Sequence, residues 1–287
     1  MKRKHLNQII IFSILTILIA ITLFPFFMTI VLSQKTNAEI HSDFWTLPSE
    51  FRPEYYIDAF AYIINYIKNS LIVGAGIVVG ALLLASISGY VFARLDFQGK
   101  QTLFVMVLPL MMVPGILTLV PAYRWYNQLP FLGGNNWLGF GGQGLLDTRW
   151  VLMIPAISGS QIIGIFLCRT FFEQIPRSLF EAARIDGAGE LKAYYYIALP
   201  LSLPILATLA ILVFVGNYND YIWPLVTVSS DEIQVFAVGV TKFGIEGNLD
   251  YAPIMAGYMI GSVPLILVFA FGMRYYIEGL TKGGLKA

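Results

Sequence analysis

Six stretches of this chain run about 18 residues or more without a charged side chain, at 9–32, 70–93, 102–123, 151–168, 197–219 and 251–273. At about 1.5 Å of rise per residue, such a stretch crosses a ~30 Å hydrocarbon core as a helix. Lipid offers no hydrogen bonds to an open backbone, so each stretch is expected to satisfy its own peptide groups. The fourth is the shortest, and Arg149 and Arg169 bound it, where their long side chains can snorkel outward.

Composition agrees: 57% of the 287 residues are hydrophobic and 12% charged, about half the charged share of a soluble domain. The charges nearly cancel, with 18 Lys and Arg against 17 Asp and Glu. No global basic character therefore argues for a nucleic-acid partner, and the apolar, charge-poor composition points to membrane lipid as the surrounding medium. Cys168 is the only cysteine, and His5 and His41 are the only histidines. A disulfide framework, a Cys/His zinc site and a His-metal protease all need more.

Orientation follows from the loops. With the N-terminus inside, the inner side collects most of the basic residues, among them Lys2, Arg3, Lys4, Arg94, Lys100, Arg169, Arg177 and Arg274. The positive-inside rule therefore places both termini in the cytoplasm. Trp125, Trp150 and Trp223 then fall near the outer ends of spans, as an interfacial aromatic belt would place them. The first segment opens like a signal peptide, but its apolar run is too long for one and is expected to remain as a span. The expected fold is all-α: an integral membrane protein with six transmembrane helices in one membrane domain over 1–287. The Gly-rich patch between Gly133 and Gly144 has no Gly-Lys-Ser/Thr after it and reads as a flexible outer hairpin.

The longest inner loop, 169–196, is more than a spacer. Ser178 followed by Glu181 predicts a capping box and a short helix, with Gly187 and Gly189 as its stop. Leu179, Phe180, Ala182, Ala183 and Ile185 give it a small apolar face, with Arg184 and Asp186 at its polar edges. A helix this short is marginal in water alone and needs a partner surface.

Glu181-Ala182-Ala183, three residues, Gly187, nine residues, then Ile197-Ala198-Leu199-Pro200 resembles the EAA motif of binding-protein-dependent ABC importer permeases. Phe171-Phe172, Ile175-Pro176 and Ile185-Asp186-Gly187-Ala188 resemble its carbohydrate branch. Asn217 to Leu225 and the tail Gly279 to Lys286 are similar to two further segments of that branch. The resemblance covers nearly the whole chain. It departs in the outer loop 130–148, longer and richer in glycine, and at Tyr218, where tryptophan is more usual.

The resemblance implies a type I ABC importer permease fold in a bacterial or archaeal plasma membrane, with a sugar or oligosaccharide as cargo and another solute such as a sugar phosphate as the alternative. It further implies that the loop 176–196 docks on an ATPase, with Ser178, Glu181, Ala182, Ala183, Arg184, Asp186 and Gly187 as the coupling residues. The implied partners are a second homologous permease, two ATP-binding subunits and an extracytoplasmic solute-binding protein. ATP and Mg would sit on the partner ATPase, and this chain would bind no cofactor of its own.

Polar groups inside spans are costly and tend to face a bundle interior. Asn217, Asn219 and Asp220 cluster near the outer end of span five, with Asn217 and Asp220 expected on one helical face and Trp223 nearby. They suit either a solute path or an outer gate. Gln161 in span four is the other pathway candidate, with interhelical hydrogen bonding as its alternative role. Gly76 with Gly80, and Gly257 with Gly261, allow helices to approach, while Pro109, Pro114 and Pro121 can bend span three. Two rival classes fit less well. A secondary transporter would often carry intramembrane carboxylates, of which Asp220 is the only near case. A membrane enzyme would need a catalytic set, and neither HExxH nor GxSxG occurs.

Overall fold

A computed structural model describes residues 2–246 and 250–284, and every regular element among them is helical. Three long helices match sequence-predicted spans closely: α1 (Lys2–Leu32), α6 (Arg149–Gln174) and α13 (Tyr251–Gly284). Span two is longer than expected. Its helix α3 (Glu54–Arg94) starts well before residue 70 and runs 41 residues without a proline.

Spans three and five are each broken. Span three comprises α4 (Lys100–Val107), two 3-10 turns (Leu108–Met112 and Gly115–Thr118) and α5 (Leu119–Asn127), bent by 96°. Pro109 and Pro114 stand in and beside the turns, where a missing N–H interrupts the helical ladder. Span five runs from α8 (Glu190–Ala193) through a π-helical turn (Tyr194–Ala198) and α9 (Leu199–Leu201), bends by 73°, and continues as α10 (Leu203–Tyr218). Ser202 stands at that bend, flanked by Pro200 and Pro204. Among the described residues four helices are therefore long and apolar enough to cross a membrane, or up to six if each bent pair is one span. The remaining helices are α2 (Asn37–Ser42), α7 (Arg177–Ile185), α11 (Ile222–Thr227) and α12 (Phe236–Glu246).

The chain packs as two units, Met1–Asn65 with Gly239–Val263, and Tyr66–Val238 with Pro264–Ala287. In the first, Ala59, Ile63, Ala252 and Ala256 are buried, and a Cβ added at Gly257 would stand in ordinary van der Waals range of Val240 and Ile63. The apolar length of α1 is unburied within the chain, so its solvent is lipid or another subunit. Beyond α1, Thr36 and Glu39 form a reciprocal capping box on α2. Arg52 pairs with Glu39 at 3.0 Å, and buried Lys35 donates to the carbonyls of Asp43 and Phe44.

The second unit is built on the contact of α3 with α6. Gly76 and Gly80 lie under Met153 and Ile157, as their spacing predicts. Two further glycines extend the seam: Gly89 against Cys168, and Gly164 against Ala85. Close approach lets many carbon pairs reach optimal separation, each worth only ~0.1–0.2 kcal/mol but numerous. The glycine patch is a compact loop. Gly133, Gly134, Gly139, Gly141 and Gly144 all take positive φ around the buried Asn135, which donates to the carbonyls of Asn127 and Leu129. Its glycines are thus used for left-handed backbone.

Candidate functional site

The short helix predicted in the 169–196 loop is α7, but its start differs from expectation. Proline disfavours helical backbone in the residue before it, so Ile175 is extended (φ −66°, ψ 129°) and α6 ends at Gln174. Pro176 becomes the N-cap and α7 begins at Arg177. Ser178 therefore lies inside the first turn, makes no cap, and the expected capping box with Glu181 does not form. At the other end, Gly187 takes φ +78°. Its N–H donates to Arg184 O at 3.0 Å and that of Ala188 to Ala183 O at 2.8 Å. This Schellman pattern satisfies two of the last carbonyls. Gly189 does not stop α7; it is the N-cap of α8.

One face of α7 is anchored. Phe180 is buried, with the Arg94 guanidinium 4.3 Å above its ring. Arg94 also donates to the carbonyls of Phe172 and Ile175 where α6 ends. Arg184 donates to Glu190 at 2.8 Å, and that hydrogen bond, followed by the carboxylate's charge, raises the guanidinium above its ordinary value. Glu190 accepts in turn from Tyr90 at 3.1 Å. Glu181 lines a polar cavity of about 190 Å³ together with Arg94, Lys100, Arg177 and Arg184.

The opposite face is open. Ser178, Ala182 and Ile185, spaced for one helical side, are exposed, Ile185 at 87%. Glu181, Asp186 and Gly187 are exposed beside them, and Ala183 is half-buried. Beyond α7, Leu191, Tyr195 and Tyr196 extend an apolar exposed surface.

A second cluster lies at the far end of span five. Asn217 lies in α10's last turn, but α10 stops at Tyr218, so Asp220 stands in the corner before α11 and does not share a helical face with Asn217. Folding of the corner nonetheless brings both to one cavity of about 400 Å³, with Trp223, Pro155 of α6 and Gly115, Ile116 and Thr118 of broken span three. Asp220 receives the N–H of Trp223 at 3.5 Å, and Asn217 donates to Val213 O at 2.8 Å. The Trp223 indole donates to Val151 O at 2.8 Å and its ring meets Tyr126 edge-on at 5.9 Å. Asn219 does not line this cavity; it is exposed and donates to Val215 O. Gln161 is absent from the lining as well. It donates to Ile157 O at 2.9 Å and to Ala81 O of α3 at 3.4 Å, the interhelical role weighed against a pathway role.

Sequence reasoning missed Gly115 and Thr118 as cavity residues, because only the 96° break of span three places them there. It also missed Arg94 and Tyr90, which look like ordinary span-end residues until α7 folds against them. Among the described residues no cluster of His, Cys, Asp or Glu could hold a metal ion.

A family model for the binding-protein-dependent transport system inner membrane component matches residues 81–282. The arabinooligosaccharides transport system permease protein AraQ of Halalkalibacterium halodurans is 31% identical over 276 residues, covering 93% of this chain and 92% of that one. The trehalose/maltose transport system permease protein MalG of Thermococcus litoralis is 27% identical over 293 residues, covering 100% and 99%. Among solved structures, a bacterial ABC transporter importing the acidic polysaccharide alginate superposes with a TM-score of 0.73 at 20% identity, over 96% of this chain and 98% of that one. A bacterial alginate transporter in complex with its alginate pentasaccharide-bound periplasmic protein gives 0.60 at 15% identity, over 94% of each. With 31% identity along nearly its whole length and the family model over residues 81–282, this chain belongs to the inner membrane components of binding-protein-dependent transport systems.

Proposed function

We propose that this permease imports a sugar or oligosaccharide, working with a second homologous permease, two ATP-binding subunits and an extracytoplasmic binding protein in a bacterial or archaeal inner membrane. The sugar assignment is supported by relatives named for arabinooligosaccharides and trehalose/maltose. The binding protein is supported by the family description and by the alginate complex among the structural neighbours. Both termini and α7 face the cytoplasm, and ATP and Mg belong to the partner subunits, so this chain hydrolyses nothing itself.

What carries the coupling role is the build of α7. The helix is fastened on one side through Phe180, Arg184 and Arg94, and presents small, exposed Ser178 and Ala182, then Ile185, on the other. Small side chains let a partner's backbone come close, and an exposed isoleucine beside them offers apolar area to cover. Closure of the ATPase pair would push this face, and the spans would exchange inward-open for outward-open states. In the outward-open state the cavity of Asn217, Asp220 and Trp223 lies on the solute path or forms its gate.

The test is ATPase activity of the complex purified through a tag on this chain, with and without binding protein and candidate sugars, in the native form and as Glu181→Ala and Gly187→Pro. Co-purification of an ATPase whose sugar-stimulated activity collapses in both variants is the expected result. Absence of any ATPase from the native complex in mild detergent overturns the proposal.

A further inference from the structure

We infer that α7 delivers its movement to span two through a clasp made by Ser86, Tyr90 and Arg94 of α3, and that the bend between Leu201 and Leu203, beyond the stretch of span five that the clasp holds, is the yielding joint. The inference rests on the reading of α7 as the ATPase-driven lever.

Ser86, Tyr90 and Arg94 are spaced four residues apart and fall on one side of α3. Each holds a different part of the loop. Arg94 takes the carbonyls of Phe172 and Ile175 where α6 ends, and covers the Phe180 ring of α7 at 4.3 Å. Tyr90 donates to Glu190 at 3.1 Å, and Glu190 accepts from Arg184 of α7 at 2.8 Å. The Tyr90 ring also stands edge-on to Phe172, with centroids 5.9 Å apart and planes at 90°. One turn earlier, the Ser86 hydroxyl meets Tyr194 at 2.8 Å in a buried contact. Behind the clasp, Gly89 against Cys168 and Gly164 against Ala85 hold α3 and α6 in close contact. Aromatic packing, the part-buried bonds of Arg94 and Tyr90 and the exposed Arg184–Glu190 pair tie α7 to the end of α3 from several directions.

The other way out of the loop is built differently. After α8 the chain passes through a π-helical turn at Tyr194–Ala198, whose first residue the clasp still holds through Ser86, and then turns by 73° between Leu201 and Leu203. π turns inside helices are frequent at functional sites. Ser202 at the bend donates to carbonyls of its own turn, Ala198 and Leu199, and its carbonyl accepts from the Leu206 N–H in the next. Pro200 and Pro204 remove two more backbone donors from the same stretch. A push on α7 thus meets an unbroken helix of 41 residues on one side and a jointed path on the other. Arg94 and Tyr90 are positioning residues, acting on transport through α7.

The test uses the complete transporter in proteoliposomes with its binding protein, and maltotriose or arabinotriose, whichever stimulates the native complex. Solute moved per ATP hydrolysed is measured for the native chain, Arg94→Gln, Arg94→Lys and Tyr90→Phe. The expected result is a fall of about five-fold or more for Arg94→Gln, about two-fold for Tyr90→Phe, and partial recovery in Arg94→Lys, whose cation still reaches the carbonyls. A native ratio in both Arg94→Gln and Tyr90→Phe overturns the inference. Should Arg94→Gln fail to assemble, Tyr90→Phe decides alone, since it removes one hydroxyl and keeps the ring. Ala182→Trp, on the open face of α7, separates the two readings. If it leaves ATPase capture and transport intact, the lever reading fails; if it abolishes them while the clasp variants stay native, the clasp alone fails.

Discussion

Gly164 of α6 faces Ala85 of α3 so closely that a Cβ on the glycine would stand 2.6 Å from the alanine methyl. A methyl attached directly to backbone cannot swing aside, so the two helices would have to part. Gly159, on the same helix, has nothing within 4 Å of the position a Cβ would take. Gly164→Ala is expected to destabilise the unit by about 1–3 kcal/mol through overpacking. Gly159→Ala should be neutral or gain about 0.5–1 kcal/mol in helix propensity. Thermal unfolding midpoints of the purified complex check this, and equal midpoints for the two variants would refute the packing account.

Gly187 tests conformation without packing. Its φ is +78° and a Cβ there meets open space, so the cost of a side chain is backbone strain alone. Gly187→Val is expected to lose about 1–2 kcal/mol at the end of α7 and most sugar-stimulated ATPase. Gly187→Asn should keep most of it, because asparagine visits the left-handed region more readily. Similar activity of the two variants would show that the left-handed turn is not needed.

Asp220 and Asn219 are adjacent in sequence and differ in surroundings: one lines the 400 Å³ cavity, the other does not. Asp220→Ala is expected to reduce uptake in proteoliposomes about ten-fold, the order of one lost charged hydrogen bond. Asn219→Ala should stay within about two-fold. Reversal of that order would remove the cavity from the transport path.

Glu39 carries a pH prediction. Hydrogen bonds from Ser49 and then from the Thr36 backbone pull its carboxyl from the ordinary 4.5 down to about 2. An acid depressed in the folded state stabilises its surroundings above its unfolded value and loses that contribution as pH falls through the folded value. The loop around α2 should therefore hold above about pH 4.5 and loosen progressively toward pH 2. Hydrogen exchange of residues 36–52 between pH 6 and pH 3 measures this, and the slope should flatten in Glu39→Gln. An unchanged slope in that variant assigns the acid sensitivity elsewhere.

Much of this was legible in the residues. A charge-free run must satisfy its own backbone in lipid, and this locates helices whatever their neighbours are. The Glu181 to Gly187 spacing likewise announced a short helix with a glycine stop, and Gly187 meets it because a left-handed turn is a local demand. Local signals failed where two of them competed: the steric effect of Pro176 on Ile175 set the start of α7 and left Ser178 inside the helix.

Other features were decided only by tertiary structure. That α3 continues back to Glu54, that spans three and five break, and that Asn217, Asp220, Trp223 and Thr118 share a cavity while Gln161 turns to Ala81, all depend on what each segment packs against. The sequence alone determined which segments are apolar enough to leave water and which backbone positions require glycine or proline, because solvation and backbone sterics act residue by residue. The partners of Arg94, Tyr90 and Gly164 were settled by the fold, because a contact between residues 70 or more positions apart costs chain entropy that only the joint packing of many such contacts repays.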